Sequence, residues 1–296
     1  MTRHSGQPRS SFAIAGREIG EGRPPYVIAE VSGNHNKDLA RALKMIDVAA
    51  DCGADAVKFQ TYTADSLTLP SDKPDFQITT GTWAGWNLHR LYQEAATPYD
   101  WFPELFAHGA KLGITVFSSP FDNAAVDLLE GLGAPAHKIA SNEFTDWPLI
   151  RHAAKTGKPL ILSTGTATLD EIDDTVRFLE AEGVRDFCLL HCVSAYPARA
   201  EDSHLRTIPD MRDRYDVQVG LSDHTLGIAV SVAAVALGAT VIEKPFTLRR
   251  ADGGPDADFS LEPEEFHDLV ESCRTAWAAL GGVNYARGTD EIRNKV

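Results

Sequence analysis

The sequence lacks the long apolar runs that membrane proteins carry. No apolar stretch in it reaches the roughly 18 residues that a bilayer crossing requires. The N-terminus is polar, carries Arg3 and Arg9, and has no apolar core of the kind that secretory signals need. We therefore expect a cytoplasmic protein without a membrane partner, in which residues 1–10 form a disordered N-terminus.

Positive charge is in deficit, with 28 Lys and Arg against 42 Asp and Glu and a formal net charge of −14. Nonspecific nucleic-acid binding requires a basic footprint, so nucleic acid is excluded as a partner. The same deficit means that an anionic substrate has to be held by a few local cations rather than by the overall field of the protein.

Cysteine is scarce, and its spacing indicates no metal site. No CxxC pair of the kind that binds zinc is present. Because all of the cysteines lie in apolar stretches, we predict buried free thiols. The four cysteines are Cys52, Cys188, Cys192 and Cys273.

The chain does contain a repeating alternation of short apolar runs and amphipathic stretches. The runs are too apolar to be half exposed, which is typical of parallel sheets that are covered on both faces. Eight alternations in 296 residues predict an α/β fold, the (β/α)8 TIM barrel, which needs about 250 residues. An open doubly wound sheet is the alternative, disfavoured because no GxGxxG follows the first run. The predicted strands are 26–31, 56–60, 115–119, 137–141, 159–164, 187–192, 217–221 and 241–243.

Amphipathic stretches between these runs predict the surrounding helices. Residues 12–19 predict a short N-terminal hairpin that plugs the barrel floor. Residues 61–97, which contain Trp83, Trp86 and His89, predict a functional lid, because long irregular loops in compact domains usually have such a role. We assign residues 11–282 to one barrel domain and residues 283–296 to a C-terminal tail. The predicted helices are 39–52, 100–111, 123–131, 148–156, 169–182, a shorter helix within 202–215, 225–237 and 263–280, with Thr168 as an N-cap.

Polar residues end nearly every predicted strand. Taken singly, each has a structural explanation, such as a helix cap, a salt bridge or a satisfied core histidine. In a parallel barrel, however, all strand ends open into one mouth, where active sites lie. The residues concerned are Glu30, Lys58, Gln60, Ser118, Ser119, Lys138, Ser141, Glu143, Ser163, Thr164, His191, Ser194, Ser222, Asp223, His224, Glu243 and Lys244.

The mixture of these groups indicates a class of substrate. Lysines combined with several hydroxyls suit a ligand that carries a phosphate and a carboxylate. Glutamate and histidine move protons near neutral pH, and a histidine or a pair of carboxylates can hold a divalent metal. These residues therefore predict a barrel enzyme that acts on a phosphorylated small acid.

At these positions the sequence resembles the sialic acid synthase family, which includes the N-acetylneuraminate and pseudaminic acid synthases. Asp146 and the segments 253–256 and 259–263 resemble the pseudaminic acid synthase branch more than the N-acetylneuraminate branch. The motifs that carry the resemblance are 28–30, 33–36, 54–60, 118–121, 138–141, 162–165, 190–192, 196–197 and 220–225.

The resemblance implies condensation of phosphoenolpyruvate with a sugar aldehyde, giving a 2-keto-3-deoxy sugar acid of the nonulosonic type and phosphate. It implies that Glu30 and Glu143 orient water or move protons, that His224 binds a metal, and that Glu243 lies beside metal and substrate. It implies sugar contacts for Gln60, Tyr196 and Asp256, and it places Ser194 where the family has an Asn near the phosphate. The phosphoenolpyruvate ligands implied are Lys58, Ser119, Lys138, Ser141, Ser163 and Ser222.

The last predicted strand departs from the family, which usually has a second metal-binding His where this chain has Pro245. Alternation along a strand places Glu243 and Pro245 on the same face. We therefore predict a weaker, oxygen-richer site, with His224 and Glu243 as ligands for Mn²⁺ or Mg²⁺. The alternative is that no metal binds and that Pro245 marks a changed or lost reaction.

A second departure is length, because the family often carries a C-terminal antifreeze-like domain, which we expect to be absent from this chain. Two other functions stay open: a Schiff-base aldolase that uses Lys58 or Lys138, and a weakly catalytic homologue that binds sugar or phosphoenolpyruvate. We also expect a homodimer. Its basis is the apolar content of the last predicted helix, namely Phe266, Leu269, Val270 and Trp277.

Overall fold

The N-terminal hairpin is present in the computed structural model, which describes residues 11–293. Strands β1 (Phe12–Ile14) and β2 (Arg17–Ile19) pair antiparallel, with Phe12 opposite Ile19. The segment predicted to be disordered, residues 1–10, lies outside the described residues, as do residues 294–296 of the predicted tail.

Eight parallel strands form a closed barrel, as the apolar alternation predicts. Neighbours along the chain are neighbours in the sheet, and the last strand pairs with both the seventh and the first, which closes the ring. Closure excludes the open doubly wound sheet. The barrel strands are β3 (Tyr26–Glu30), β4 (Ala56–Thr61), β5 (Thr115–Pro120), β6 (His137–Ile139), β7 (Leu160–Ser163), β8 (Phe187–Cys192), β9 (Gln218–Ser222) and β10 (Val241–Pro245).

The barrel interior is apolar at its N-terminal end and polar at its C-terminal end. Tyr26 and Ile28 belong to a buried apolar cluster inside the barrel, whereas Glu30, two residues on, lines a cavity at the strand ends. This change follows the period of two by which strand side chains share a face. Phe12, Ile14 and Ile19 of the hairpin belong to the same apolar cluster, so the hairpin closes the barrel floor as predicted.

Eleven helices accompany the strands among residues 11–293. Thr168 caps α7 in a reciprocal capping box with Glu171, as predicted. Helix α9 begins four residues later than predicted, because Gly227 takes a positive φ of 70° in the preceding loop. The helices are α1 (Leu39–Asp51), α2 (Ala64–Leu67), α3 (Leu88–Ala95), α4 (Phe102–Leu112), α5 (Asn123–Gly131), α6 (Trp147–Ala154), α7 (Leu169–Ala181), α8 (Thr207–Tyr215), α9 (Ala229–Ala236), α10 (Pro263–Leu280) and α11 (Thr289–Arg293).

The lid, residues 61–97, is more ordered than its composition predicts. It contains α2 and α3, which an ion pair between His89 and Asp65 joins at 2.7 Å. Between them, residues 77–87 fold back on themselves, with Gln77 and Asn87 in an antiparallel bridge. Most of the segment is irregular, as predicted, but the two short helices within it were not predicted.

Helix α10 packs its apolar side onto the barrel. Phe266, Leu269 and Val270 are fully buried within the single chain, and Trp277 packs against the same core. These side chains cover the barrel, so they give no support to the predicted homodimer. Among residues 11–293, no helix combines the length and the apolar character that a membrane crossing requires.

Candidate active site

The strand ends enclose a cavity of about 420 Å³ at the C-terminal face of the barrel. All of the predicted site residues line it except Ser194, which lies just behind its wall. The predicted residues that line the cavity are Glu30, Lys58, Gln60, Ser119, Lys138, Ser141, Glu143, Ser163, Tyr196, Ser222, His224, Glu243 and Asp256.

Lys58 lies at the centre of the charged part of this cavity. Its Nζ contacts Glu30 Oε2 at 2.5 Å and Glu243 Oε1 at 3.5 Å, and it donates a hydrogen bond to Ser119 Oγ at 3.2 Å. Burial alone would lower the pKa of Lys58, but the two carboxylates outweigh it and raise that pKa. Lys58 is therefore a fixed cation, which makes it a poor imine-forming amine.

Burial and neighbouring charges change the pKa values of the other charged groups in the cavity to different extents. Burial favours neutral Glu243, yet Lys138, Lys58 and His224 together lower the pKa of this carboxyl. The Glu30 side chain contacts Lys58 and Gln60, and burial raises its pKa. For Lys138, burial is the largest influence and lowers the pKa of the amine.

Burial brings the pKa of Glu143 near neutrality. Strand β6 stops at Ile139, two residues before its predicted end, and residues Ser141–Glu143 form a 3₁₀ turn that points Glu143 into the cavity. Burial raises the pKa of Glu143 from 4.5 to about 7, against the smaller opposing effect of Lys138. A carboxyl with this pKa can donate or accept a proton near neutral pH.

Several buried polar atoms of the site have no hydrogen-bond partner within residues 11–293. They are Ser163 Oγ, Glu143 Oε2 and Glu243 Oε2. Buried polar groups are almost always satisfied in folded proteins, so unpartnered atoms around one cavity indicate a missing polar ligand.

The backbone of Gly165 packs closely against neighbouring side chains beside these atoms. Its N–H donates to Ser141 Oγ at 3.1 Å. A Cβ at this position would lie 2.4 Å from Ser194 Oγ and 2.9 Å from both Cys192 Sγ and Ser141 Oγ. Only glycine fits there, and Ser194 helps to pack this wall rather than lining the cavity.

A second group of predicted residues lies along one side of the mouth. Gln60 Nε2 donates to Glu30 Oε1 at 2.8 Å and to Ser32 Oγ at 3.3 Å. Ser32 Oγ in turn donates to Asp256 Oδ2 in the loop after β10. Burial raises the pKa of Asp256, despite the hydrogen bond from Ser32. Gln60 and Asp256, both predicted sugar contacts, are thus joined through one hydroxyl.

His224 lies between an aromatic ring and a thiol. Its ring centroid is 4.6 Å from that of Tyr196, and its Nδ1 donates to the Val193 carbonyl at 3.1 Å. Because a carbonyl only accepts, Nδ1 carries a proton and Nε2 is the nitrogen that can act as a base or a ligand. Cys192 Sγ lies 3.8 Å from Nδ1, and, against the effect of burial, this contact raises the pKa of His224 and lowers that of Cys192.

The metal prediction can be compared with these donors. Glu243 and Pro245 both line the cavity, as alternation predicts. The described residues contain no group of three or more His, Cys, Asp and Glu side chains arranged to hold a metal. The donors that fit a divalent ion are therefore Nε2 of His224 and the unpartnered Oε2 of Glu243, and its other ligands would have to be substrate and water oxygens.

Besides Ser194, five strand-end residues named in the sequence analysis do not line the cavity: Ser118, Thr164, His191, Asp223 and Lys244. Asp223 and Lys244 point outward and pair at 2.9 Å beneath the helices, while His191 Nε2 bonds the Ser203 carbonyl at 2.6 Å. Because the side chains of His191 and Asp223 bond these other partners, neither replaces the metal-binding His that the family has at position 245. Alternation explains this result, because Asp223 and Lys244 neighbour inward-facing residues.

Other residues line the cavity without having been predicted. The lid and the loop after β10 contribute many of them, and no strand pattern could assign them because they lie in irregular segments. Trp83 was only noted as part of the lid, and Cys192 was predicted as a buried thiol without a role. The additional polar, aromatic and sulfur-containing lining residues are Ser32, Tyr62, Trp83, Tyr92, Phe121, Asn142, Cys192 and Phe259.

Comparison with known proteins agrees with this geometry. A pseudaminic acid synthase of Campylobacter jejuni subsp. jejuni serotype O:23/36 (strain 81-176) is 43% identical over 271 residues, covering 92% of this chain and 79% of that protein. An N,N'-diacetyllegionaminic acid synthase of Campylobacter jejuni subsp. jejuni serotype O:2 is 40% identical over 269 residues, covering 90% of this chain and 80% of that protein.

A solved structure shows the same architecture. The N-acetylneuraminic acid (sialic acid) synthetase from Leptospira borgpetersenii serovar Hardjo-bovis, in complex with citrate, superimposes with a TM-score of 0.86 at 32% identity, covering 97% of this chain and 95% of that chain. The sequence profile of the NeuB family matches residues 45–285. These matches confirm the predicted synthase family and the barrel: the chain belongs to the NeuB family.

Proposed function

We propose that this protein condenses phosphoenolpyruvate with a sugar aldehyde to give a 2-keto-3-deoxy sugar acid of the nonulosonic type and phosphate. The observation that carries this proposal is the cavity, where two lysines, serine hydroxyls and a glutamate with a pKa near 7 converge. Phosphoenolpyruvate supplies three of the nine carbons of such a product, so the acceptor is a six-carbon sugar.

Phosphoenolpyruvate would bind in the inner part of the cavity. Lys58 and Lys138 supply the positive charge, and Ser163 Oγ, which has no partner within residues 11–293, supplies an unused hydroxyl. The raised pKa values of Glu30 and Glu143 reduce the negative charge that an anionic ligand would meet. The remaining hydroxyls assigned to this ligand are those of Ser119, Ser141 and Ser222, while Ser194 supports the wall behind them.

The reaction needs proton transfers that the glutamates can perform. Carbon 3 of phosphoenolpyruvate forms a bond to the aldehyde carbon, and the aldehyde oxygen takes up a proton. Water adds at carbon 2 and loses a proton. The carbon 2 hydroxyl then gives up its proton to become the ketone as the bond from carbon 2 to the phosphate oxygen breaks, and phosphate leaves as hydrogen phosphate. Glu143 is assigned as a proton donor because its pKa of about 7 keeps it partly protonated. Glu30 is assigned to the water.

The sugar would lie in the outer part of the cavity, against Gln60, Tyr196 and Asp256. Gln60 and Asp256 are already linked through Ser32, so hydroxyl or amide groups of a sugar can join an existing hydrogen-bond network. Tyr196 offers a ring face to the C–H surface of a pyranose or its open-chain form.

A divalent ion, Mn²⁺ or Mg²⁺, is part of this proposal. His224 and Glu243 would hold it, and when bound it would polarise the aldehyde oxygen as a Lewis acid. With two protein ligands its affinity should depend strongly on the substrates. Two further assignments are part of this proposal, a cytoplasmic location and a homodimer; sedimentation at micromolar concentration tests the homodimer.

The test is phosphate release by purified protein supplied with phosphoenolpyruvate, Mn²⁺ or Mg²⁺, and a panel of hexose aldehydes, with mass spectrometry of the sugar acid. Release that depends on one aldehyde supports the proposal. A covalent adduct after borohydride treatment with pyruvate would instead favour the Schiff-base aldolase, for which Lys138, with its lowered pKa, is the candidate. Binding of phosphoenolpyruvate without turnover of any aldehyde would identify a binding homologue.

A further inference from the structure

Trp83 is one of the lid residues that line the candidate site. The lid folds back between Ile78 and Trp86, where Ile78 N–H donates to Trp86 O and Gly85 N–H donates to Ile78 O, both at 2.8 Å. Gly81 and Gly85 take positive φ values of 80° and 90°, which permit this tight turn. The turn places Trp83 on the cavity wall.

Two contacts hold Trp83 against the two loops that carry the proposed sugar ligands. Its Nε1 donates to the Pro255 carbonyl at 2.6 Å, and Pro255 immediately precedes Asp256. Its ring centroid lies 5.3 Å from that of Tyr196. The neighbouring Thr82 adds a hydrogen bond from its hydroxyl to the Tyr196 carbonyl. One lid residue therefore bridges both loops.

The aromatic contacts continue from the lid to the catalytic centre. Tyr196 packs on His224 at 4.6 Å and on Phe259 at 5.5 Å. The charged contacts of the cavity, by contrast, belong to strand-end residues such as Lys58 and Glu243. The contacts of Trp83 are thus with the loops assigned to the sugar, not with the lysines assigned to phosphoenolpyruvate.

We propose that Trp83 determines which sugar aldehyde the enzyme accepts. Its ring forms the outer wall against which apolar surface of the sugar packs, such as C–H, methyl or acyl-methyl groups. The bond to Pro255 and the contact with Tyr196 fix the position of this wall relative to Asp256 and Tyr196. This inference rests on the proposed function, because it concerns the aldehyde of that reaction.

The lid offers a matched control in Trp86, which lies three residues along the same turn. Its side chain is 41% exposed, and it is not among the residues that line the cavity. Trp86→Ala removes the same ring from the same segment without touching the wall. Trp83→Phe keeps a ring against Tyr196 but loses the hydrogen bond to Pro255.

The experiment is steady-state kinetics of the wild type, Trp83→Ala, Trp83→Phe and Trp86→Ala with N-acetylmannosamine and with a 2,4-diacetamido-2,4,6-trideoxyhexose. Trp83→Ala should raise the KM for the preferred aldehyde about tenfold or more, because burial of a large aromatic or aliphatic contact is of that order. It should change the ratio of kcat/KM between the two aldehydes and leave the KM for phosphoenolpyruvate within about twofold. Trp83→Phe should have a smaller effect, and Trp86→Ala none.

Thermal melting of all variants separates a local change from misfolding. An unchanged aldehyde ratio in Trp83→Ala, or an equal loss in Trp86→Ala, would overturn the inference while leaving the proposed function intact. An equal rise in the KM for the aldehyde and the KM for phosphoenolpyruvate would also overturn the inference, because it would indicate a general disturbance of the site. If the wild type releases no phosphate with any aldehyde, the proposed function is wrong, and this inference, which depends on it, is wrong as well.

Discussion

The end of β10 carries two lysine–carboxylate clusters that differ in the face of the strand they occupy. Inside the barrel, Glu243 meets Lys58 and keeps one carboxylate oxygen without a partner in the described chain. Outside, the next residue, Lys244, pairs with Asp223 at 2.9 Å. Asp223 also accepts hydrogen bonds from Thr225 N–H, Thr225 Oγ1 and Ser231 Oγ, so both of its oxygens are satisfied.

The difference shows how a ligand-binding cluster can be distinguished from a structural ion pair when both contain the same residue types. Lys244 and Asp223 are almost completely buried, with 0% and 2% of their surface exposed, and each is satisfied by fixed neighbours. This closed network also ties together the strand ends that carry His224 and Glu243. The inner cluster borders a cavity and has unused polar atoms, which is the condition for binding a ligand.

The largest expected effect comes from breaking the outer pair. Lys244→Met should lower the free energy of unfolding by about 3–5 kcal/mol, because it leaves the Asp223 carboxylate buried without its cation. Chemical denaturation measures this loss. The double variant Asp223→Asn/Lys244→Met is the control and should recover much of the stability. If Lys244→Met unfolds at the wild-type denaturant concentration, the outer pair does not support the fold.

Removal of the inner lysine should instead reduce activity. Lys58→Met should lower kcat/KM for phosphoenolpyruvate by about 10²–10³-fold, the usual effect of losing one preorganised electrostatic contact at a reacting group. Stability should fall less than in Lys244→Met, since Glu30 can take up a proton as its raised pKa allows. The exposed Lys155, changed to Met, controls for loss of a positive charge. A Lys58→Met enzyme with normal kinetics would contradict the assignment of the phosphoenolpyruvate site.

Glu143 provides the pH dependence of the inner cluster. As a proton donor it is active when protonated, so kcat/KM should fall as pH rises through about 7, the value to which burial raises its pKa. Glu143→Gln should remove this limb and reduce the rate by about 10²-fold or more. Stability should change with pH in the same direction as activity. The pKa of this carboxyl is raised from 4.5 to about 7 on folding, so the protonated group stabilises the protein at low pH. This contribution is lost as the pH rises between those two values. If kcat/KM of Glu143→Gln still falls as pH rises, another group causes this pH dependence.

Much of this arrangement could be predicted from the sequence, and the reason is periodicity. Alternation along apolar strands places Glu30, Lys58 and Glu243 on the inner face, and closure of the barrel brings them together. The motif resemblance adds the roles that alternation cannot give. Strand ends were less predictable: β6 ends two residues early, and β10 continues to Pro245.

The lid and the outer pair could not be predicted in the same way. Trp83 reaches the cavity through a turn whose direction depends on two glycines and on contacts with distant loops, and no local pattern encodes such contacts. The pairing of Lys244 with Asp223 across neighbouring strands required their register, which the structure provides through Glu243 opposite Ser222. Cys192 was predicted as buried, but its approach to His224 depends on the register of β8 with β9, which places Cys192 opposite Ser222.

The smallest expected effect comes from adding an imidazole to the inner cluster. Pro245 lies at the end of β10, where pairing with β9 has stopped at Glu243 and Ser222, so its missing N–H interrupts no bond to that strand. Its side chain lines the cavity with Glu243. Pro245→His should therefore place a third donor near His224 and Glu243 and tighten Mn²⁺ binding about tenfold, which corresponds to about 1.4 kcal/mol. Titration of Mn²⁺ followed by electron paramagnetic resonance measures this affinity without requiring turnover. Pro245→Ala is the control, because it restores the N–H without adding a ligand and should leave the affinity unchanged. If histidine and alanine at this position bind Mn²⁺ equally, position 245 does not face the metal.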